Sequence, residues 1–139
     1  MLRGLTTTCF WADDLEAAKR WYTEVFGIEP YFERPGRDGA LAYVEYRIGD
    51  YQHEFGLCQS GYAPDGAATE PGGAVVYWHV DDLDAAVERL VSMGAKEYQP
   101  AVSWGDAGFR TASVVDPFGN VLGLMVNPHY LEVLASLKQ

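Results

Sequence analysis

The sequence predicts an α+β protein built from two successive βαβββ modules. Two hexapeptides, residues 13–18 and 81–86, lie 68 residues apart and differ only by one Glu/Asp exchange. Each follows a short apolar or aromatic run and leads to a glycine, Gly27 or Gly94. An aspartate before an apolar helical stripe is typical of a helix start, and glycine is typical of a helix end. A strand, a capped helix and a helix stop therefore occur twice.

The two predicted helices have matching apolar stripes. The first begins after Asp13 or Asp14 and ends at Gly27, and the second begins after Asp81 or Asp82 and ends at Gly94. At helical spacing, the stripes consist of Leu15, Ala18, Tyr22, Val25 and Phe26 in the first helix and Leu83, Ala86, Val87 and Leu90 in the second.

Period-two patterns after each helix predict the remaining strands. They cover residues 30–34, 41–48 and 52–59 in the first module and 96–104, 109–115 and 121–126 in the second. We expect module 1 over residues 1–60, a Gly/Ala/Pro-rich connector over 61–72 and module 2 over 73–127. A short amphipathic helix over 128–139 completes a single domain, 1–139. Sheet-to-helix core positions fall on Phe10, Phe55, Leu57 and Trp78.

Composition restricts the class of partner. The 139 residues carry 20 acidic and 10 basic side chains, a net charge of −10, which repels phosphate backbones and anionic membrane surfaces. We therefore expect neither nucleic acid nor a membrane as partner. Neither a secretion signal nor a stretch of transmembrane length is recognisable, which predicts a cytoplasmic protein. Cys9 and Cys58 lie in apolar runs, so we expect two buried free thiols.

Two motifs and the paired modules carry a family resemblance. Residues 14–27 read Asp-Leu-x-x-Ala-x-x-Trp-Tyr-x-x-Val-Phe-Gly, and residues 116–120 form an Asp-Pro-Phe-Gly-Asn turn. Together they resemble the vicinal oxygen chelate superfamily, which contains glyoxalases, bleomycin-resistance proteins and extradiol dioxygenases. The resemblance covers residues 2 to about 126. It implies a curved eight-stranded sheet around a cleft, with the helices on the convex face.

The resemblance also implies metal-ligand positions on the first and last strands of each module. Three of those positions hold Thr7, Val75 and Gly123, none of which offers the family's His, Gln or Glu. The fourth falls on Glu54 or, two residues further, on Gly56. Because catalytic zinc sites use about three protein ligands, we predict no metal and no cofactor. Whether the protein catalyses a reaction stays open.

Strand alternation suggests a small-molecule site instead. Thr7, Cys9 and Trp11 share one face of the first strand, and Tyr77 and His79 share one face of the corresponding strand. We predict an aromatic or cationic ligand with Glu54 as its charged partner. The predicted ligand-binding residues are Thr7, Trp11, Glu54, Tyr77, His79 and Trp104.

Two alternative functions stay open, and we expect a homodimer. A metal-dependent lyase or dioxygenase could use Glu54 and His79, or the scaffold could serve as a protein-interaction module. The resemblance, with apolar Leu131, Leu134 and Leu137 on the last helix, predicts a homodimer.

Overall fold

The computed structural model describes all residues 1–139 and divides into two compact units. Unit 1 is Met1–Ala67 and unit 2 is Ala68–Gln139. The boundary lies inside the connector predicted at 61–72. The assignment of the whole chain to a single domain stays a prediction.

Unit 1 has the predicted βαβββ order. Its elements are β1 (Thr7–Ala12), α1 (Leu15–Phe26), β2 (Phe32–Pro35), β3 (Leu41–Ile48) and β4 (His53–Gln59). The strand order in the sheet is β1-β4-β3-β2. The β1–β4 pair is parallel, and the other two pairs are antiparallel.

Unit 2 repeats this arrangement. Its elements are β5 (Val76–His79), α2 (Leu83–Ser92), β6 (Lys96–Trp104), β7 (Phe109–Val115) and β8 (Val121–Val126), followed by α3 (Pro128–Leu137). The strand order is β5-β8-β7-β6, with β5 parallel to β8. The α+β class and the duplicated topology are confirmed. Hydrogen bonding forms two separate four-stranded sheets rather than one continuous sheet of eight strands.

Local chemistry defines the ends of both major helices. The carboxylates of Asp14 and Asp82 each accept a backbone N–H of the first turn at 3.0 Å, which selects the second aspartate of each predicted pair. Gly27 ends α1 with φ of 69°, a left-handed conformation that glycine adopts without a Cβ clash.

Each helix covers one face of its own sheet. In unit 1, the buried side chains of Phe10, Phe55 and Leu57 pack on the Tyr22 side of α1, as predicted. Trp78, predicted to be core, is half-buried. The opposite side of the unit 1 sheet, which we call the open face, carries the alternate residues of the same strands. None of the three α-helices combines the length and apolarity that a membrane crossing requires.

Candidate functional site

The open face of unit 1 brings chemically reactive and aromatic side chains together in register. Strand pairing places Thr7 beside Glu54, Cys9 beside Gly56 and Trp11 beside Cys58. The β3 neighbours of the three β4 residues are Arg47, Glu45 and Tyr43, in the same order. The open face is thus a grid of three rows across three strands.

The first row is held by a side-chain hydrogen bond. The Thr7 hydroxyl donates to Glu54 Oε2 at 2.7 Å. Thr7 is exposed and Glu54 is half-buried, so the carboxylate remains open to solvent on one side. The pair joins β1 to β4 at the edge of the predicted site.

The second row depends on a glycine. A Cβ at Gly56 would lie 2.8 Å from the ring edge and the hydroxyl of Tyr43, so that ring occupies the space above the glycine. The Tyr43 hydroxyl donates to Glu45 Oε1 at 2.7 Å. Burial, together with this hydrogen bond, raises the pKa of Tyr43 well above its usual value. Tyr43 is therefore a neutral donor at physiological pH.

The two cysteines meet on this face. Cys9 is exposed and Cys58 is half-buried, so the expectation of two buried thiols is wrong. Both residues point away from the face that α1 covers. A hydrogen bond from the Cys58 thiol stabilises the Cys9 thiolate and lowers the pKa of Cys9 to about 7. The same hydrogen bond, reinforced by burial, raises the pKa of Cys58.

A cavity of about 520 Å³ opens beside the third row. The lining includes three aromatic rings, two guanidinium groups and one thiol, contributed by Trp11, Arg34, Arg37, Tyr43, Cys58 and Tyr62. We call this the aromatic cavity. Its charged lining is cationic, and no carboxylate belongs to it.

A second cavity of about 690 Å³ lies at the start of α1 and carries acidic residues. Two of its carboxylates already have structural roles. Asp14 caps α1, and Asp38 accepts the Ala40 backbone N–H at 3.0 Å. We therefore place the candidate site at the aromatic cavity, although the acidic cavity is larger.

Three predicted residues belong to unit 2. Tyr77, His79 and Trp104 lie on one face of its sheet. His79 and Thr111 both pair with Met125, which puts them on the same face. Trp104 donates its indole N–H to Thr111 at 2.7 Å. Tyr77 and Trp104 are exposed, at 43% and 60% of their surface. They lie on strands at opposite edges of the sheet, Tyr77 on β5 and Trp104 on β6.

His79 has a packing role. Its ring stacks on Tyr130 of α3 with centroids 4.7 Å apart. Nδ1 accepts the Asn127 backbone N–H at 3.1 Å, and Nε2 lies 3.5 Å from Asp81 Oδ1. One ring nitrogen is thus committed to the segment that starts α3.

The donor set does not fit the metal that the family resemblance implies. Gly56 pairs with Cys9 and Gly123 pairs with Tyr77, and Cys9 and Tyr77 are separated by the 68-residue repeat spacing. The repeat therefore matches Gly123 with Gly56, while Glu54 lies one row away. A Cβ at Gly123 would lie 2.8 Å from the Tyr77 ring, so an aromatic side chain lies against each glycine. No three His, Cys, Asp or Glu side chains are grouped closely enough to hold a metal.

Comparison with known proteins identifies the family. Residues 4–124 match the model of the Glyoxalase/Bleomycin resistance protein/Dioxygenase superfamily, and the chain belongs to this superfamily. Proteins named "Putative glyoxylase CFP32", from Mycobacterium bovis and Mycobacterium tuberculosis, are 33% identical to the chain over 122 residues. The match covers 82% of this chain but only 43% of those relatives.

Solved structures with low identity share the fold. A glyoxalase-related enzyme from Fulvimarina pelagi has a TM-score of 0.69 at 23% identity, covering 91% of this chain and 90% of the other. Lactoylglutathione lyase from Agrobacterium tumefaciens has a TM-score of 0.66 at 21% identity, covering 94% and 98%. These similarities support the fold that the sequence motifs indicated.

Sequence reasoning found part of the open face and missed the rest. Thr7, Trp11 and Glu54 share the open face of unit 1. The roles of Tyr43 and Cys58 were missed, because their neighbours are set by strand pairing. Alternation along β3 was a usable signal for Tyr43, whereas Arg37, in the turn between β2 and β3, had no periodic signal.

Proposed function

We propose that the protein binds a small aromatic molecule carrying a negative charge in the aromatic cavity, without a divalent metal at the family position. The observation that carries this proposal is the cavity lining, which combines the rings of Trp11, Tyr43 and Tyr62 with the guanidinium groups of Arg34 and Arg37. Flat aromatic faces favour a ring, and guanidinium groups favour a carboxylate, phosphate or sulfonate.

The cavity has a size suited to this role. Small-molecule pockets occupy roughly 300–1,000 Å³ and combine apolar walls with a few polar groups. The aromatic cavity, at about 520 Å³, lies within that range. The Tyr43 hydroxyl and the Cys58 thiol are its neutral polar groups.

The net charge of the chain and the charge of the cavity lining favour ligands of opposite sign. The chain carries a net charge of −10, which favours a cation at long range. Charges beyond about 8 Å are largely screened at physiological salt, so the two arginines at the cavity dominate once the ligand arrives. An anionic group therefore suits the cavity better than the cationic alternative.

The proposal does not include an activity taken from relatives. The match to this chain spans 43% of the length of the curated relatives. Glu54 and Thr7 lie two rows from the row that borders the aromatic cavity, and neither residue lines it. A glyoxylase-type reaction needs its own demonstration.

Matched pairs of ligands test the proposal. The protein is heated with aromatic carboxylates, phosphates and sulfonates, and with ammonium or guanidinium analogues on the same rings. A ligand at about 100 times its dissociation constant stabilises the fold by about 2.7 kcal/mol, a rise in Tm of about 8–11 °C. We expect the anionic member of each pair to give the larger rise.

Variants separate the cavity from the rest of the surface. Trp11→Ala and Arg34→Ala should each weaken binding about 10-fold, since each removes roughly 1–2 kcal/mol of ring or charge contact. Tyr98→Ala and Arg20→Ala remove an exposed ring and an exposed guanidinium outside the cavity and serve as controls. Equal shifts with cationic analogues, or equal losses in the control variants, would contradict the proposal.

Elemental analysis tests the metal-free part separately. We expect less than stoichiometric zinc, iron, manganese or nickel in protein purified without chelator. About one such ion per chain, lost in Glu54→Ala, would overturn this part and favour a metal-dependent enzyme.

A further inference from the structure

We propose that Cys9 and Cys58 form a two-coordinate site for a soft monovalent cation, with Cu(I) as the physiological candidate. This inference goes beyond the organic-ligand proposal, and its test uses no organic ligand. The juxtaposition that carries it is the pair of thiols on neighbouring strands of the open face.

Strand register brings the sulfurs together at a characteristic spacing. Cys9 pairs with Gly56, and Cys58 pairs with Trp11, so the cysteines are diagonal neighbours on parallel strands. Both side chains leave the sheet on the open face. Gly56 contributes no side chain, and the ring of Tyr43 lies over it. The two sulfurs therefore share a space bounded by an aromatic ring.

The diagonal spacing favours a bridging ion over a disulfide. One strand across and two residues along correspond to a Cα separation of about 8 Å. A disulfide needs Cα atoms within about 7 Å and sulfurs about 2.05 Å apart, which would require the strands to shift. Two metal–sulfur bonds of about 2.3 Å span sulfurs up to about 4.6 Å apart. Thiols that lean toward each other along this diagonal can bind the ion without that shift.

The number and type of donors select the ion. No third His, Cys, Asp or Glu joins the two thiols in a metal-binding group. Zinc sites use three or four protein ligands, whereas soft thiolates select Cu(I), which is stable with two. Glu45 lies close enough to Cys9 for its charge to act on the thiol, and it adds negative potential that favours a cation.

The thiol pair is accessible from solvent. Cys9 is exposed, and Cys58 lines the aromatic cavity, so an ion or a copper-carrying chelator can reach the pair. Buried structural thiols would lack this access.

Anaerobic competition measures the site. Reduced protein is titrated with Cu(I) against the chelator bicinchoninate, and the stoichiometry and affinity are read from the chelator absorbance. We expect one Cu(I) per chain and protection of both cysteines from iodoacetamide. Cys9→Ser and Cys58→Ser should each bind at least ~100-fold more weakly, because the second thiolate acts at high effective concentration.

One control variant and three contrary outcomes test the dithiol site. Met93→Leu removes a sulfur from unit 2, outside the cysteine pair of unit 1, and should leave Cu(I) affinity unchanged. Circular dichroism verifies that each variant is folded. Wild-type affinity in either serine variant would overturn the dithiol site. Stoichiometric Zn(II) binding of equal affinity would overturn the two-coordinate assignment. An intrachain disulfide formed by diamide with the fold intact would overturn the spacing argument and make the pair a redox couple.

Discussion

Gly56 and Gly123, which the repeat matches with each other, should respond differently to replacement by alanine. At Gly123, a Cβ would lie 2.7 Å from the Val76 carbonyl oxygen, a backbone atom that cannot rotate away. It would also lie 2.8 Å from Val75 Cγ1 and 2.8 Å from the Tyr77 ring. At Gly56, the three nearest contacts all belong to the ring and hydroxyl of Tyr43, a half-exposed side chain that can swing aside.

The magnitude follows from two opposing effects. Overpacking costs about 1–3 kcal/mol, and replacing glycine by alanine within a strand recovers about 0.5–1 kcal/mol. Gly123→Ala should therefore lower the free energy of unfolding by about 0.5–2 kcal/mol. Gly56→Ala should change it by less than about 0.5 kcal/mol, because movement of the Tyr43 ring relieves the contact.

Urea unfolding followed by circular dichroism measures the free energy of unfolding, and thermal unfolding measures Tm. At roughly 3–4 °C per kcal/mol for a chain of this size, Gly123→Ala should lower Tm by about 2–8 °C, and Gly56→Ala should lie within about 2 °C of the wild type. An unchanged Gly123→Ala protein, or a larger loss in Gly56→Ala, would refute the assignment of rigid and movable contacts to the two glycines.

Three further predictions concern the thiol pair, a turn and assembly. Iodoacetamide should alkylate Cys9 with a rate that rises with pH to half its maximum near pH 7, because the thiolate reacts and the pKa of Cys9 is lowered to about 7. A midpoint above about pH 8.5 would contradict the hydrogen-bonded pair. Asp116→Ala should lower the free energy of unfolding by about 2–3 kcal/mol in urea titration, because the buried Asp116 carboxylate accepts the Phe118 and Asn120 backbone N–H groups at 2.9 and 2.8 Å. A loss below about 0.5 kcal/mol would refute this role. Sedimentation at micromolar concentration should give a homodimer that Leu131→Glu weakens, since Leu131 is exposed on α3; a wild-type monomer would contradict it.

Features set by neighbouring residues could be predicted from the sequence. Asp14 and Asp82 cap helices because each carboxylate reaches an N–H three residues ahead, a contact contained within one helical turn. The bounds of β7 and β8 agree with the period-two pattern because alternation is a property of a single strand. The internal repeat then indicated the topology, since equal modules fold alike.

Register between distant strands could not be predicted in this way. Thr7 and Glu54 are 47 residues apart in sequence but share a row. A shift of one residue would turn every side chain of a strand to the other face, and the packing of the whole sheet selects among the registers. A shift of two residues keeps the faces but changes the row, so the sequence left Glu54 and Gly56 as alternatives. The pairing of Gly56 with Cys9 matched the glycine with Gly123.

By itself, the sequence determined the α+β class, the duplicated module, the start of each main helix to within one residue, and which side chains of the first strand face α1. Only the tertiary structure decided the register between β1 and β4, which places the exposed Cys9 diagonal to Cys58 on the open face. Alternation along one strand separates its two faces, but the pairing of strands that are distant in sequence depends on the packing of the whole sheet.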